Sequence, residues 1–214
     1  MKSILIIGLG RFGRHMSQKL IEQGNSVLAI EKHEVRADNA VDILPDIQIG
    51  DSTNENFIKS LGVNNFDLCV VAIGDDFQTA LETTVLLKDC GAQYILARAC
   101  KQVHKKLLLR NGADHVVYAE REVAERLAIR YGSKNLFDYI ELSADYAIYE
   151  ISVPDNWVGK TIVEKGVRSK YNINILATKK DGKITPITSP DHVFDEEETL
   201  IILAEHNVAK SFIK

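Results

Sequence analysis

No apolar run in this 214-residue chain approaches the roughly 18 consecutive residues that a membrane-spanning helix needs. The chain is therefore expected not to cross a membrane by itself. The amino terminus also lacks the pattern of a secretory leader, because its first apolar stretch is short and runs straight into glycines. A cytoplasmic protein is the expectation. Basic tracts are missing too: 26 Lys and Arg stand against 30 Asp and Glu, a formal net charge of -4, which argues against nucleic acid as the main partner. Cysteine is scarce. Cys69, Cys90 and Cys100 are odd in number and have no C-x-x-C spacing, so neither a disulfide framework nor a zinc site is indicated and buried, reduced thiols are expected.

Catalytic motifs are equally absent. There is no H-E-x-x-H, no G-x-S-x-G and no Tyr-x-x-x-Lys pair. The six histidines are scattered, and His33 and His104 read as surface residues. Gly159-Lys160-Thr161 matches the end of a G-x-x-x-x-G-K-T phosphate loop, but Pro154 stands where its first glycine belongs, so that reading is rejected. Asp195-Glu196-Glu197-Glu198 reads as an exposed acidic turn rather than a cation site. The chain is expected not to be an enzyme.

What is present begins at the amino terminus. Ser3 to Ile7 is an apolar, β-branched run that suits a strand buried on both faces, and Gly8-Leu9-Gly10-Arg11-Phe12-Gly13 follows it directly. Gly8 permits a tight turn, Gly10 lets the backbone approach a phosphate, and Gly13 lets a helix from about Arg14 to Gln23 pack on the strand. Ser26 to Ile30 makes a second strand, with Glu31 and Lys32 at its carboxyl end. Glu31 lies about twenty residues beyond the turn, where an acid accepts hydrogen bonds from a ribose. Strand, turn, helix and acid in step predict an adenine-nucleotide site. Arg11, between the second and third glycines, sits beside the phosphates and favours a highly charged tail.

The alternation then continues. A helix is expected over Glu34 to Ile43, a strand at Ile47-Gln48-Ile49, and a polar turn at Gly50-Asp51-Ser52-Thr53. Asp51 and Ser52 are placed to face the adenine, although Ser52 or Thr53 serving only to cap the helix near Asn54 to Ser60 explains them equally well. Strands follow at Phe66 to Ile73, Tyr94 to Ala97 and His115 to Tyr118, separated by helices at Phe77 to Asp89 and Gln102 to Arg110. Six short strands joined by helical crossovers predict an α/β, doubly wound parallel sheet of Rossmann topology over residues 1–118. Residues 119–136 read as a crossover helix and linker. From 137 to 214 the pattern changes to strands at Tyr139 to Leu142, Ala147 to Val153, Ile173 to Lys179 and Thr199 to Ala204, with a hairpin signal at Asp181-Gly182. That is a small α+β domain of about 75 residues, which gains from association because it buries little core alone.

The run Ile6 to Gly13, with Glu31, Gly50 to Thr53, Ala72-Ile73-Gly74 and Ala113-Asp114, resembles the RCK (KTN) family, and within it the cytoplasmic regulatory subunits of Ktr-type potassium uptake systems. Val158 to Thr161 and Arg168 to Tyr171 resemble that family's carboxyl-terminal subdomain, so the likeness spans nearly the whole chain. The resemblance implies a homo-oligomer, an octameric ring built from dimers, docked beneath a membrane potassium pore. It implies ATP or ADP as ligand, with NAD(H) as another possibility. Carried over by position, Arg11 reaches the terminal phosphate of a neighbouring subunit's ATP, Glu31 holds the ribose, Asp51-Ser52 the adenine, and Glu120 helps hold Mg2+ or another divalent cation. Phe12, Lys32, Ala72, Ile73, Gly74 and Arg98 complete the implied site. Some relatives also bind cyclic di-AMP between paired carboxyl-terminal subdomains; Ile162, Val163, Arg168, Asn174, Ile175 and Pro190 are similar in kind and order, while Gly166 stands where some relatives have an acid. A nicotinamide-dependent oxidoreductase or an NAD(H)-sensing redox regulator is the competing class, with Glu31 selecting NAD over NADP. A soluble NAD-sensing repressor is a third, weakened by the acidic balance and the lack of a basic recognition helix.

Overall fold

The computed structural model describes residues 1–187 and 189–213. It divides into two compact units, Met1–Arg121 and Glu122–Lys214. No helix among the described residues is long and apolar enough to cross a membrane.

The first unit is built on six parallel strands: β1 (Ser3–Ile7), β2 (Ser26–Glu31), β3 (Ile47–Ile49), β4 (Leu68–Val71), β5 (Ile95–Arg98) and β6 (His115–Val117). Their spatial order is β3-β2-β1-β4-β5-β6, so the chain winds outward to β3 and then returns to pair β4 with the other side of β1. That reversal creates the crevice beside β1 in which doubly wound sheets bind ligands. Helices α1 (Arg11–Glu22), α2 (Glu34–Asp38), α3 (Glu55–Ser60), α4 (Phe77–Asp89) and α5 (Gln102–Arg110) supply the connections, and α6 (Ala119–Gly132) leads from β6 into the second unit.

The period of two in β1 decides what covers each face. Leu5 and Ile7 pack among Val71, Ala80, Leu87 and Ile95, whereas Ile4 and Ile6 pack with Val70, Phe12, Met16 and Leu20. Hence α4 lies on one side of β1 and α1 on the other.

Three local expectations change. Helix α1 begins at Arg11 rather than Arg14, because Gly10 is already its extended cap (φ -63°, ψ -178°) and Gly13 falls inside the first turn. Helix α2 ends at Asp38 rather than Ile43; the chain continues through hydrogen-bonded turns that bury Ala40 and Leu44. The cap of α3 is Asn54, whose side chain accepts from the Phe57 amide at 3.1 Å, so neither Ser52 nor Thr53 has that task.

The second unit is an antiparallel sheet of order β10-β9-β11-β8-β7, comprising β7 (Leu136–Glu141), β8 (Tyr146–Ser152), β9 (Asn174–Lys180), β10 (Lys183–Pro186) and β11 (Thr199–Glu205). Asp181 and Gly182 both take positive φ (51° and 76°), which suits a two-residue hairpin between β9 and β10. Short helices α7 (Ile162–Lys165), α8 (Val167–Tyr171) and α9 (His206–Ala209) complete the unit. Thr161 caps α7 and Glu164 bonds back to the Thr161 amide, which gives Gly159-Lys160-Thr161 a structural use. Trp157, 1 % exposed, lies against Tyr171, Phe194 and Phe212.

Two surface expectations need correction. Glu198 is buried, accepting from the Asp195 amide at 3.1 Å and pairing with His192 Nε2 at 2.8 Å, while Asp195 and Glu197 both close on Lys180. The acidic turn is thus folded around partners rather than wholly exposed. Among the thiols only Cys69 is fully buried, and burial pushes it up to about 12; Cys90 and Cys100 are half-buried.

Candidate functional site

The carboxyl ends of the first unit's strands surround an open cavity of about 1020 Å3. Each strand end contributes to its wall: Gly8, Gly10, Arg11 and Phe12 follow β1, Glu31 and Lys32 follow β2, and Ser52 follows β3. Ala72, Ile73 and Gly74 follow β4, with Arg98 from β5 and Glu120 from α6. Of the residues expected to bind nucleotide, Gly13 and Asp51 do not line it.

The glycine turn is set by contact distances. A Cβ on Gly13 would lie 2.0 Å from the Gly8 carbonyl oxygen, so α1 can sit this close to β1 only with glycine there. Gly8 has φ +100° and donates its amide to the Ile30 carbonyl at 2.8 Å, tying the turn to β2. Above Gly10 there is space: no described atom would lie within 4 Å of a Cβ. Among the described residues no side chain caps α1 and no acid lies in its first turn, so the amides at its start are left for an anion, with the Glu31 carboxylate just before them on the Leu9 amide. Arg11 stands at that end.

Glu31 is 4 % exposed, and its carboxylate accepts from three backbone donors. Oε2 accepts from the Leu9 amide at 2.8 Å, and Oε1 from the Lys32 and His33 amides at 2.9 and 3.0 Å. One side chain therefore fixes the glycine turn to the end of β2. An ionised carboxylate has about four acceptor positions, so this one retains capacity for a ribose hydroxyl.

Asp51 and Ser52 diverge. The Lys32 ammonium, 2.7 Å away, and hydrogen bonds from Thr53 hold the Asp51 carboxyl down at about 2. Ser52 turns inward, 4 % exposed, and its hydroxyl meets that of Thr83 on α4 at 2.8 Å. It lines the cavity while anchoring the β3 turn to α4.

On the other side of the turn, Arg98 pairs with Glu120, lies 5.7 Å from the Phe12 ring centre and presses against Gly74. Its own backbone amide, followed by Arg98, holds the Glu120 carboxyl below the usual range. Cys100 donates its thiol to the Gly74 carbonyl at 3.0 Å.

Several wall residues were missed in the sequence: Arg14, His15, His33, Arg36, Asp75, Asp76 and Thr79. Arg14 and His15 lie three and four positions after Arg11, so a helix begun at Arg11 places all three on one face. Arg36 and Asp75, 39 positions apart, meet at 3.2 Å, a pairing for which spacing gives no signal. His33 is exposed as expected but borders the cavity, and His104 is half-buried and stacked on Phe77.

The second unit carries a groove of about 290 Å3, lined by Ile162, Val167, Arg168, Ile173, Asn174, Ile175, Ile187, Ser189 and Pro190. Five of the six residues singled out for a second ligand meet there. Val163 does not line it; its side chain is exposed, and its amide donates to the Pro190 carbonyl at 3.2 Å.

Comparison with known proteins assigns both units. The TrkA-N domain family matches residues 4–119 and the TrkA-C domain family residues 147–214. The chain belongs to the TrkA-N/TrkA-C family. A potassium uptake protein of the Ktr system, protein C of Bacillus subtilis (strain 168), is 37% identical to this TrkA-N/TrkA-C chain over 202 residues, covering 94% of the chain and 91% of the relative. Protein A of the same system and organism is 33% identical, covering 99% and 95%. A solved structure of the GsuK channel bound to NAD has the same fold, with a TM-score of 0.72 at 21% identity over 100% of the chain. This TrkA-N/TrkA-C chain spans only 39% of that channel's length.

Proposed function

We propose that this chain is the nucleotide-sensing regulatory subunit of a potassium uptake system, acting on a separate membrane pore from its cytoplasmic face. The observation that carries the proposal is the conjunction of a TrkA-N match ending at residue 119 with an open cavity over Gly10, bounded by Glu31 and Arg11. Family membership supports a transport regulator rather than an enzyme.

Phosphates would lie over Gly10 at the positive end of α1, the ribose at Glu31, and the adenine towards Ser52. ATP and ADP differ only in the charged tail, so the residues that distinguish them must act there. Arg11 is exposed at the cavity edge, where it is available to a neighbouring subunit's terminal phosphate as well as to its own. Regulation is a population shift: each nucleotide stabilises the subunit arrangement it binds better, and only that difference reaches the pore. Glu120, an exposed carboxylate at the cavity edge, supplies a hard oxygen suited to Mg2+ beside the phosphates. Helix α6 buries none of its own residues and exposes Val123, Leu127 and Tyr131, which supports assembly of dimers into a ring.

The test is a set of binding heats for ATP, ADP and NADH in magnesium. ATP and ADP are expected to bind with distinguishable affinities and without hydrolysis. Arg11→Ala is expected to reduce the ATP-to-ADP affinity ratio severalfold while lowering ADP binding much less. Equal losses for both nucleotides would remove Arg11 from discrimination, and NADH turnover would replace the regulator with an oxidoreductase.

The groove of the second unit fits cyclic di-AMP in kind. Apolar Ile162, Ile175 and Pro190 suit a purine face, and Arg168 and Asn174 suit phosphate and base edges. A second copy of the unit would complete it. Arg168→Ala is expected to weaken cyclic di-AMP binding about tenfold or more, by loss of a charge-assisted contact. Absence of heat from the unaltered protein at tens of micromolar would end this part of the proposal.

A further inference from the structure

A dinucleotide in a doubly wound sheet crosses the switch point, with one nucleoside on each side of the glycine turn. In this chain the two sides differ. On the β2 side the cavity offers Glu31 and the buried hydroxyl of Ser52. On the β4–β5 side it is occupied by a side chain of the protein.

That side chain is Arg98, only 18% exposed although it is a long cation at a strand end. Four features hold it. Its guanidinium pairs with Glu120 and faces the Phe12 ring. It also lies so close to Gly74 that a Cβ there would sit 2.5 Å from Nη1 and 2.9 Å from Cζ. Gly74 in turn is fixed from behind by the Cys100 thiol. Nε of Arg98 is buried without a hydrogen-bond partner, the one such side-chain atom among the described residues. Leaving a charged group's donor unsatisfied is costly, so this packing is not what optimal pairing of Arg98 would select.

We propose that the Arg98–Glu120 pair is a stopper that makes the cavity selective for mononucleotides over dinucleotides. Resting on the adenine-nucleotide reading of the same cavity, it assigns Arg98 as a specificity-determining residue. The phosphate tail of ADP or ATP ends near the pair, whereas the second nucleoside of NADH must displace the guanidinium from Phe12 and Gly74. Displacement breaks an ion pair and an aromatic contact together, and the dinucleotide carries that loss in its affinity. Arg98→Ala opens the space, and Glu120→Gln frees the guanidinium without removing it.

The experiment is calorimetric titration of the full-length protein with NADH and with ADP, in chelator to remove divalent cations. Unaltered protein, Arg98→Ala, Glu120→Gln and Gly10→Ala are compared. NADH is expected to bind about tenfold more tightly to Arg98→Ala, and severalfold more tightly to Glu120→Gln, than to unaltered protein. No tightening of NADH in either variant overturns the stopper, whatever happens to ADP. Binding of ADP by unaltered protein, lost in Gly10→Ala, reports separately that the glycine turn takes nucleotide. If ADP binding is absent, or indifferent to Gly10→Ala, the reading of the cavity falls and the stopper falls with it.

Discussion

Gly10→Ala is expected to keep the fold and lose the nucleotide, whereas Gly13→Ala is expected to destabilise the fold itself. The two glycines are three residues apart in one motif, but their surroundings are opposite. Gly10 has φ -63°, which alanine adopts freely, and no described atom would crowd the added methyl. Its melting temperature should stay within about 2 °C of the unaltered protein, because Gly→Ala at a compatible position is neutral or mildly stabilising. A phosphate over Gly10 would meet that methyl at an overpacking cost of about 1–3 kcal/mol. Affinity for ADP should therefore fall about tenfold to a hundredfold. At Gly13 the methyl would lie 2.0 Å from the Gly8 carbonyl oxygen, within a backbone that cannot yield without lifting α1 off β1. A loss of about 3 kcal/mol or more is expected for the first unit, a downward shift on the order of 10 °C. Thermal unfolding followed by circular dichroism, with ADP titration on whatever remains folded, checks both. A stable Gly13→Ala would refute the close packing of α1, and undiminished ADP binding to Gly10→Ala would refute the position of the phosphates.

Glu31→Ala should be the second most damaging change, because it strikes stability and binding together. Three backbone amides, those of Leu9, Lys32 and His33, donate to this carboxylate. Removal leaves them to whatever water reaches the cavity wall, and an unsatisfied buried donor costs about 1–3 kcal/mol. Since the cavity is open, partial rehydration is expected, and a net loss of about 2–4 kcal/mol follows for the first unit. Nucleotide affinity should drop about a hundredfold, since the ribose loses its acceptor and the glycine turn loses its tie to β2. Glu31→Gln will not rescue it: the amide keeps one acceptor oxygen and presents an N–H group to another N–H. Unchanged unfolding of Glu31→Ala would mean the carboxylate is a ligand group only, without a part in shaping the turn.

Much of this site could be read in the sequence because its logic is local. Gly8, Gly10, Gly13 and Glu31 are fixed by one strand-turn-helix-strand unit, and their spacing carries the chemistry. Aromatic and β-branched runs located the strands of both units, and the positive φ values of Asp181 and Gly182 follow from the hairpin their types announce. What escaped depends on contacts between distant segments. Ser52 and Asp51 are adjacent, and nothing local says that one turns in towards Thr83 while the other turns out to Lys32. Arg98 could be named as a basic residue at a strand end, but its burial against Gly74 and Phe12 required three connections to be folded together. Glu198 looked like one of four solvated acids because its partner His192 is presented by the fold of the preceding loop. Misplacing the start of α1 by three residues hid Arg14 and His15, a miss that came from treating the third glycine as the end of the turn rather than part of the helix.

Trp157 gives the molecule an optical property. It is the chain's only tryptophan, and it lies in the second unit within a cluster of Tyr171, Phe194 and Phe212. The nucleotide cavity lies in the first unit, which contains none. Indole emission therefore reports the packing of the second unit around Trp157. Denaturation followed by indole emission thus reads the unfolding of the second unit, while circular dichroism reads both units together.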